Sequence, residues 1–284
     1  MIKLGVIGYP VKHTLSPVMH NAALAEMSIP GVYLPFEVDP DSLRDAVKGL
    51  SVLDFQGYNV TIPFKVSIMD LIDDITEEAS LIGSVNTVII YPSRKTLGAN
   101  TDIFGFMETF SNEDKELLKG NKAAVLGAGG ASRAIGVALC KMGLKEVALY
   151  DVYPEKAEDT CKHLNKISFN DTQFKPDDVK NVNLEGVKLL VNASPVGMHP
   201  NDHQYPLDRE HIECLDKKSI VFDLIYRPQK TVLLKYAEFN GLKVYNGSEM
   251  LVRQGAKSLE MWVNQEVPVD IMRDKVIESL ENEI

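Results

Sequence analysis

Only three of the 284 residues are cysteine and only one is tryptophan. Cys140, Cys161 and Cys214 are odd in number, scattered and without metal-ligand spacing, which fits structural thiols in a reducing cytoplasm rather than a disulfide framework. His13 and His20 have no companion at ligand spacing, so no metal site is expected. Positive charge is also short: 30 Lys and Arg against 40 Asp and Glu leave a net charge of −10, with no footprint for nucleic acid or for an anionic membrane. No apolar run approaches the roughly 20 residues of a membrane span, and no charged-then-apolar leader opens the chain. Internal repeats and low-complexity stretches are missing too, and the lone Trp262 reads as core packing. What is there is ordinary globular composition, 45% hydrophobic and 25% charged, in a length that suits two modest domains. The expectation is a soluble cytoplasmic protein.

The most informative stretch is Val125-Leu126-Gly127-Ala128-Gly129-Gly130-Ala131-Ser132-Arg133-Ala134. It reads as a buried strand (121–126), a tight turn and a helix that ends at Gly143. Glycines at 127 and 129 let the backbone turn sharply and approach a ligand, and the helix N-terminus offers free N–H groups to a pyrophosphate. The third glycine of a Gly-x-Gly-x-x-Gly pattern is Ser132, so a Gly-rich turn without a nucleotide stays open. The next strand, Glu146 to Tyr150, finishes at Asp151, 24 positions after Gly127 and near the spacing of a ribose-binding acid. A carboxylate there accepts from a free 2′-hydroxyl and repels a 2′-phosphate; the plain alternative is a solvated turn acid.

From the start, Ile2 to Gly8 reads as a strand, and Ser16 as the N-cap of a helix with Pro17 at its first position. Capping and a carboxylate cradle made by the Thr14 and Ser16 hydroxyls are both open. Strands are expected over 32–38 and 55–61 with a helix over 41–53 between them, a βαβ rhythm. The third strand ends in Asn59-Val60-Thr61-Ile62-Pro63-Phe64-Lys65, polar groups at a carboxyl end, where ligands sit in open α/β sheets. Lys65 falls on the first turn of a following helix, poorly placed for the macrodipole unless it has a partner. A strand over 82–91, a turn, and a return strand over 96–102 lead to Asp102, a candidate N-cap. The polar run Ser111 to Glu116 marks a domain boundary, there or slightly earlier. Beyond the Gly-rich unit, 155–164 is helical, 165–186 a connecting loop, broken strand or short helices, and 187–191 and 219–224 further parallel strands. Helices follow over 231–240, 248–264 and 270–283.

Taken together, these strings resemble the shikimate dehydrogenases and their close relatives, the quinate/shikimate dehydrogenases, almost end to end. The resemblance rests on Gly8-Tyr9-Pro10, His13-Thr14-Leu15-Ser16-Pro17, Asn59 to Lys65, Gly83-Ser84-Val85-Asn86-Thr87 and Asn100-Thr101-Asp102-Ile103-Phe104-Gly105. It continues in Gly127 to Ala131, Asn192 to Met198, Asp223-Leu224-Ile225-Tyr226-Arg227-Pro228 and Asn246 to Gln254. It implies a two-domain α/β protein: an N-terminal substrate domain with a mostly parallel sheet (1–103, joined by C-terminal helices at about 249–284) and a Rossmann-like doubly wound dinucleotide domain (104–248). It also implies reversible hydride transfer between shikimate and 3-dehydroshikimate, in aromatic amino acid biosynthesis.

By the same resemblance Lys65 and Asp102 are the catalytic pair, and Thr14 and Ser16 hold the substrate carboxylate. Asn59, Thr61, Asn86, Asp102, Tyr226 and Gln254 bind ring hydroxyls or position the pair. The cofactor is expected at Gly127, Ala128, Gly129, Gly130, Ala131, Asp151, Ser194, Leu224 and Gly247. Two departures matter. Thr14 stands where serine is commonest, and its methyl alters the pocket around C1, which leaves quinate open as a substrate. Asp151-Val152-Tyr153-Pro154 replaces the Asn-Arg-Thr-like residues of NADP-using members, so NAD is favoured, with NADP as the alternative through Arg133 or Lys156. A homodimer is a further expectation. A non-catalytic relative that binds nucleotide and a small acid is the rival class.

Overall fold

The computed structural model describes residues 1–168 and 170–282. Phe169, within the expected 165–186 connection, and Glu283 and Ile284, at the end of the expected C-terminal helix, lie outside the described residues. The chain folds as two compact units, Met1–Gly105 with Leu251–Ile284, and Phe106–Met250.

The first unit begins with β1 (Ile2–Gly8), α1 (Ser16–Glu26), β2 (Gly31–Glu37), α2 (Leu43–Val52) and β3 (Gly57–Val60). It continues with β4 (Asp74–Ile75), α3 (Glu77–Ile82), β5 (Thr87–Ile90), β6 (Thr96–Ala99) and α4 (Asp102–Met107). Its six-stranded sheet has the order β2-β1-β3-β5-β6-β4. β1 pairs parallel with β2 and β3, β5 antiparallel with β3 and β6, and β4 parallel with β6, so β5 alone runs against the rest. The central strands are buried on both faces, so Leu4 to Ile7 and Gly57 to Val60 are buried without alternation. α2 lays Leu43, Val47 and Leu50 onto a core with Phe55, Tyr58, Val60 and Ile68, the stripe expected of an amphipathic helix.

Three local expectations are corrected here. Ser16 is the first residue of α1, not its N-cap: Leu15, buried and already in the αR region, holds the cap position without a side-chain bond. Lys65 is not on a helical turn. Proline disfavours the helical region for Ile62, the chain closes a turn from Phe64 N–H to the Thr61 carbonyl, and only a 3₁₀ segment, Ser67–Leu71, follows. The strand expected over 82–91 starts at Thr87, because Ile82 ends α3 and Gly83 takes the left-handed conformation (φ 71°) that closes that helix.

The second unit contains α5 (Asn112–Leu118), β7 (Lys122–Leu126), α6 (Gly130–Lys141), β8 (Glu146–Asp151), α7 (Pro154–Ile167), β9 (Gln173–Asp178) and β10 (Val187–Asn192). α8 (Arg209–Glu213), β11 (Ile220–Asp223), α9 (Val232–Phe239) and β12 (Lys243–Tyr245) complete it. The sheet is all parallel in the order β12-β11-β10-β7-β8-β9, the doubly wound arrangement with its switch point between β7 and β10. The polar run 111–116 is the capped α5: Ser111 and Asp114 exchange side-chain and backbone bonds in a capping box. The 165–186 connection carries β9 as the edge strand beside β8. α10 (Gly247–Val263) and α11 (Val269–Glu281) follow, and from Leu251 onward the chain belongs to the first unit, where α11 packs on α1. Trp262 donates from Nε1 to the Val88 carbonyl at 3.0 Å, and a Cβ on Gly57 would lie 2.1 Å from that nitrogen, so β3 admits only glycine beneath the indole.

Candidate active site

In the first unit the carboxyl ends of β3 and β6 and the start of α4 converge. Lys65 Nζ lies 2.6 Å from Asp102 Oδ2, with side chains 17% and 7% exposed. The other oxygen, Oδ1, accepts from Asn86 Nδ2 at 2.9 Å, and the Asp102 N–H donates to Asn100 Oδ1 at 3.0 Å. Asp102 is the first residue of α4, and both carboxylate oxygens face this pair of donors. A buried ion pair contributes little net stability; its value lies in holding an ammonium at a fixed place. Lys65 has three N–H donors and gives one to Asp102, which leaves two for an oxygen of a bound molecule.

Around the pair the expected residues fall into two groups. Gln254 Oε1, on α10, accepts from Asn86 Nδ2 at 3.3 Å, and the Thr14 hydroxyl donates to Ser16 Oγ at 3.1 Å at the start of α1. Thr61 sits half-buried just past β3, its backbone N–H on the Ile7 carbonyl. Asn59 is different: it is buried, its Oδ1 takes the Tyr33 hydroxyl at 2.7 Å, and its Nδ2 faces the Asn86 carbonyl, Thr87 Oγ1 and Ser258 Oγ at 3.0 to 3.1 Å. That side chain is fully committed to protein. Tyr226 lies in the second unit, just after β11. Tyr33, Thr87, Thr101 and Ser258 belong to the same bonded set; Thr87 and Thr101 lie in the quoted strings beside Asn86 and Asp102 but had no role assigned, and Tyr33 and Ser258 stand outside those strings.

In the second unit the Gly-rich turn follows β7 at the switch point. Gly127 has φ +98°, and a Cβ on it would sit 3.0 Å from Ser194 N, in the loop after β10. Only glycine fits there. Gly129 is different: an added Cβ would meet nothing within 4 Å, so no protein atom demands glycine at that position. Gly130 and Ala131 open the 12-residue α6, whose first N–H groups have no acceptor inside the helix. A pyrophosphate fits that donor set. Ser132, in the place of the third glycine, is buried and donates to the Gly127 carbonyl at 2.7 Å, closing the turn by a hydrogen bond.

Three expected cofactor residues do structural work here. Asp151, at the end of β8, accepts from Ala128 N at 2.8 Å on Oδ2 and from Tyr153 N at 2.9 Å on Oδ1, so the Ala128 N–H is directed to protein. Gly247 is required by the Leu224 carbonyl, 1.9 Å from a Cβ placed there. Ser194 donates to Asn192 Oδ1 at 2.7 Å, and Asn192 Nδ2 in turn reaches Asp223 Oδ1 at 3.0 Å. Asp223 also accepts from Ile225 N and Thr231 Oγ1; burial nevertheless pushes its carboxyl up to about 6. Lys156 Nζ stands 4.4 Å from the centre of the exposed Tyr153 ring. Among the described residues there is no group of three His, Cys, Asp or Glu side chains that would hold a metal ion, and no helix long and apolar enough to cross a membrane.

Comparison with known proteins decides the family. A family model described as the shikimate dehydrogenase substrate binding domain matches residues 6–88, and one described as the shikimate 5′-dehydrogenase C-terminal domain matches residues 247–277. A shikimate dehydrogenase (NADP(+)) of Synechocystis sp. is 41% identical, over 98% of this chain and 96% of that one. The chain belongs to the shikimate dehydrogenase family. Among solved structures, the shikimate 5-dehydrogenase of Listeria monocytogenes, in complex with shikimate and NAD, is 33% identical with a TM-score of 0.85 over 96% of both chains. A quinate dehydrogenase from Corynebacterium glutamicum in complex with NAD is 28% identical with a TM-score of 0.87, over 98% of this chain and 99% of that one. The α/β fold of shikimate dehydrogenases, with mostly parallel sheets and a doubly wound nucleotide-type unit, is therefore the fold of this chain.

Proposed function

We propose that this member of the shikimate dehydrogenase family uses Lys65 and Asp102 to interconvert 3-dehydroshikimate and shikimate. The protein is an NAD(P)-dependent oxidoreductase of the shikimate pathway. When bound, the nicotinamide takes or returns the hydride. The chain's own residues do the rest. The observation that carries the assignment is the Lys65–Asp102 pair at 2.6 Å, with the Asn86 amide on the other carboxylate oxygen and Thr101 and Gln254 beside that amide. In the reductive direction Lys65 gives a proton to the oxygen that was the carbonyl, while Asp102 holds the ammonium in place; in oxidation the proton returns along the same line. Thr14 and Ser16 take the substrate carboxylate, and Thr61, Asn86 and Gln254 take ring hydroxyls, which need donors and acceptors without fixed charge. Asn59 acts on the pair from behind.

For the cofactor, the α6 N-terminus at Gly129, Gly130 and Ala131 takes the pyrophosphate. Ser194, Leu224 and Gly247 line the nicotinamide side. Asp151 keeps lone pairs for a ribose 2′-hydroxyl and opposes a 2′-phosphate, so NAD is the favoured form, while Lys156 and Arg133 leave NADP usable. The proposed division is a substrate domain, 1–103 with the C-terminal helices, and a dinucleotide domain, 104–248, in a cytoplasmic protein. Quinate is the second substrate to test, given Thr14.

The test is a set of initial rates of nicotinamide reduction with shikimate and with quinate, each under NAD and NADP, for the wild type and Lys65→Ala. The expected result is turnover of shikimate with a preference for NAD, lost in the variant while dinucleotide binding persists. Retained turnover in Lys65→Ala would remove the proposed role of that lysine.

A further inference from the structure

A buried hydrogen-bond network runs behind the catalytic pair, and its direction follows from groups that can act in only one sense. The Asn86 carbonyl can only accept, so Asn59 turns Nδ2 to it (3.0 Å) and Oδ1 to Tyr33 (2.7 Å), and the Tyr33 phenol must donate. The Thr101 N–H can only donate, so Asn86 turns Oδ1 to it (2.8 Å) and Nδ2 to the Asp102 carboxylate (2.9 Å). Thr87 Oγ1 donates to Asn86 Oδ1 at 2.8 Å, accepts from Asn59 Nδ2 at 3.1 Å and lies 2.7 Å from Ser258 Oγ, which also reaches the Gln254 carbonyl at 3.0 Å. Ser258 Oγ, fully buried, joins Asn59, Thr87 and Thr101 from α10. At the other end the Ser16 hydroxyl approaches the Tyr33 phenol.

We propose that Tyr33 and Ser258 are positioning residues: the Asn86 carbonyl and the Thr101 N–H set the sense of each amide, and the two hydroxyls hold Asn59 and, through Thr87 and Thr101, Asn86 in that sense, so that an N–H rather than a carbonyl faces Asp102. The inference rests on the assignment of Lys65 and Asp102 as the catalytic pair. The consequence of losing it is concrete. An Asn86 amide turned by half a revolution would set its oxygen against the carboxylate, displacing Asp102 and with it the Lys65 ammonium. A displacement of about 1 Å at a catalytic group is enough to cost on the order of 10²-fold in rate.

Tyr33→Phe and Ser258→Ala are suited to the test because each leaves the packing largely in place. The ring of Tyr33 stacks on His20 with centroids 4.2 Å apart and planes 9° apart, a contact Phe retains, and alanine is the best helix former for position 258. Expected are kcat reduced roughly tenfold or more in each variant with KM for shikimate within threefold, recovery toward wild type in Ser258→Thr, and no further loss when either change is added to Asp102→Asn. The Asn86 side-chain amide protons, followed by NMR without substrate, should be slow to exchange in the wild type and fast in both variants. Unchanged kcat, losses that multiply with Asp102→Asn, or amide protons that stay protected would each overturn the proposal. A wild type without turnover of shikimate would instead sink the functional assignment, and the amide protons alone would then decide between a fixed and an unfixed Asn86.

Discussion

The carboxylate of Asp102 bridges two donors, with Lys65 Nζ 2.6 Å from Oδ2 and Asn86 Nδ2 2.9 Å from Oδ1. An amide in its place has one oxygen for two donors, so either Lys65 or Asn86 meets an N–H. Asp102→Asn is therefore expected to lower kcat by about 10² to 10⁴, the range of a positioned acid–base group, while NAD binding stays within a few fold. Steady-state rates beside a cofactor titration check this. A variant with near wild-type kcat would show that the ammonium does not need its carboxylate.

Asp151 carries two roles that one substitution can separate. Its oxygens hold the Ala128 and Tyr153 N–H groups, and its proposed second role is to meet a ribose 2′-hydroxyl with a negative charge. Asp151→Asn removes the charge and leaves one acceptor oxygen for two backbone N–H groups, so it costs one of the two bonds for either cofactor alike, and the ratio between cofactors reads the charge. The ratio of kcat/KM for NADP over NAD is expected to rise by roughly 10- to 100-fold, each factor of ten being about 1.4 kcal/mol. Asp151→Ala should loosen the turn as well and weaken both cofactors. An unchanged ratio in Asp151→Asn would mean that selection lies elsewhere, with Lys156 the first place to look.

How far these features could be read from sequence depends on how local they are. The β7 turn, α6 and the acid at the end of β8 lie within a few dozen residues and follow from apolar runs, glycines and spacing. Lys65 and Asp102 were found through short strings, and their 2.6 Å contact spans two strand ends. The departures from the sequence pattern are local too: Leu15 rather than Ser16 holds the cap, and Lys65 lies on a turn ahead of a 3₁₀ segment rather than on a helix. The strand Lys243–Tyr245 was missed because three residues carry no period. Ser258 went unseen for another reason. It meets Asn59 across 199 positions, and nothing in the neighbourhood of either residue encodes a partner on the far side of the chain.

His20 gives the first unit a defined response to acid. Its ring is fully buried, neither nitrogen has a hydrogen-bonding partner among the described residues, and burial lowers its pKa to about 3. The unfolded chain binds a proton near pH 6.5 that the folded unit refuses, so stability is full above that value and falls as the pH drops toward 3. Between pH 6.5 and 4.5 the loss is on the order of 2–3 kcal/mol. His20→Phe, which keeps a ring against Tyr33, should flatten this dependence, read as hydrogen-exchange protection of α1 and β2 amides across that range. The same slope in the variant would assign the acid sensitivity to other groups.

Asp223 should give the second unit the opposite slope. Its carboxyl is raised by burial to about 6, above the usual value near 3.9. Here the folded unit holds a proton that the unfolded chain has already lost. Stability is therefore highest below about pH 4 and declines as pH rises through 6, by on the order of 2–3 kcal/mol. Asp223→Asn tests it without tearing the site: the amide oxygen keeps Asn192 Nδ2 and Ile225 N, and its N–H faces Thr231, whose hydroxyl can reverse to accept. In the wild type, protection of β10 and β11 amides is expected to fall from pH 4.5 to 6.5 while that of α1 and β2 rises; in Asp223→Asn the first trend should vanish and the second persist. If β10 and β11 gain protection over that interval in the wild type, the carboxylate is stabilised by its three donors more than burial disfavours it, and Asp223 is ionised throughout.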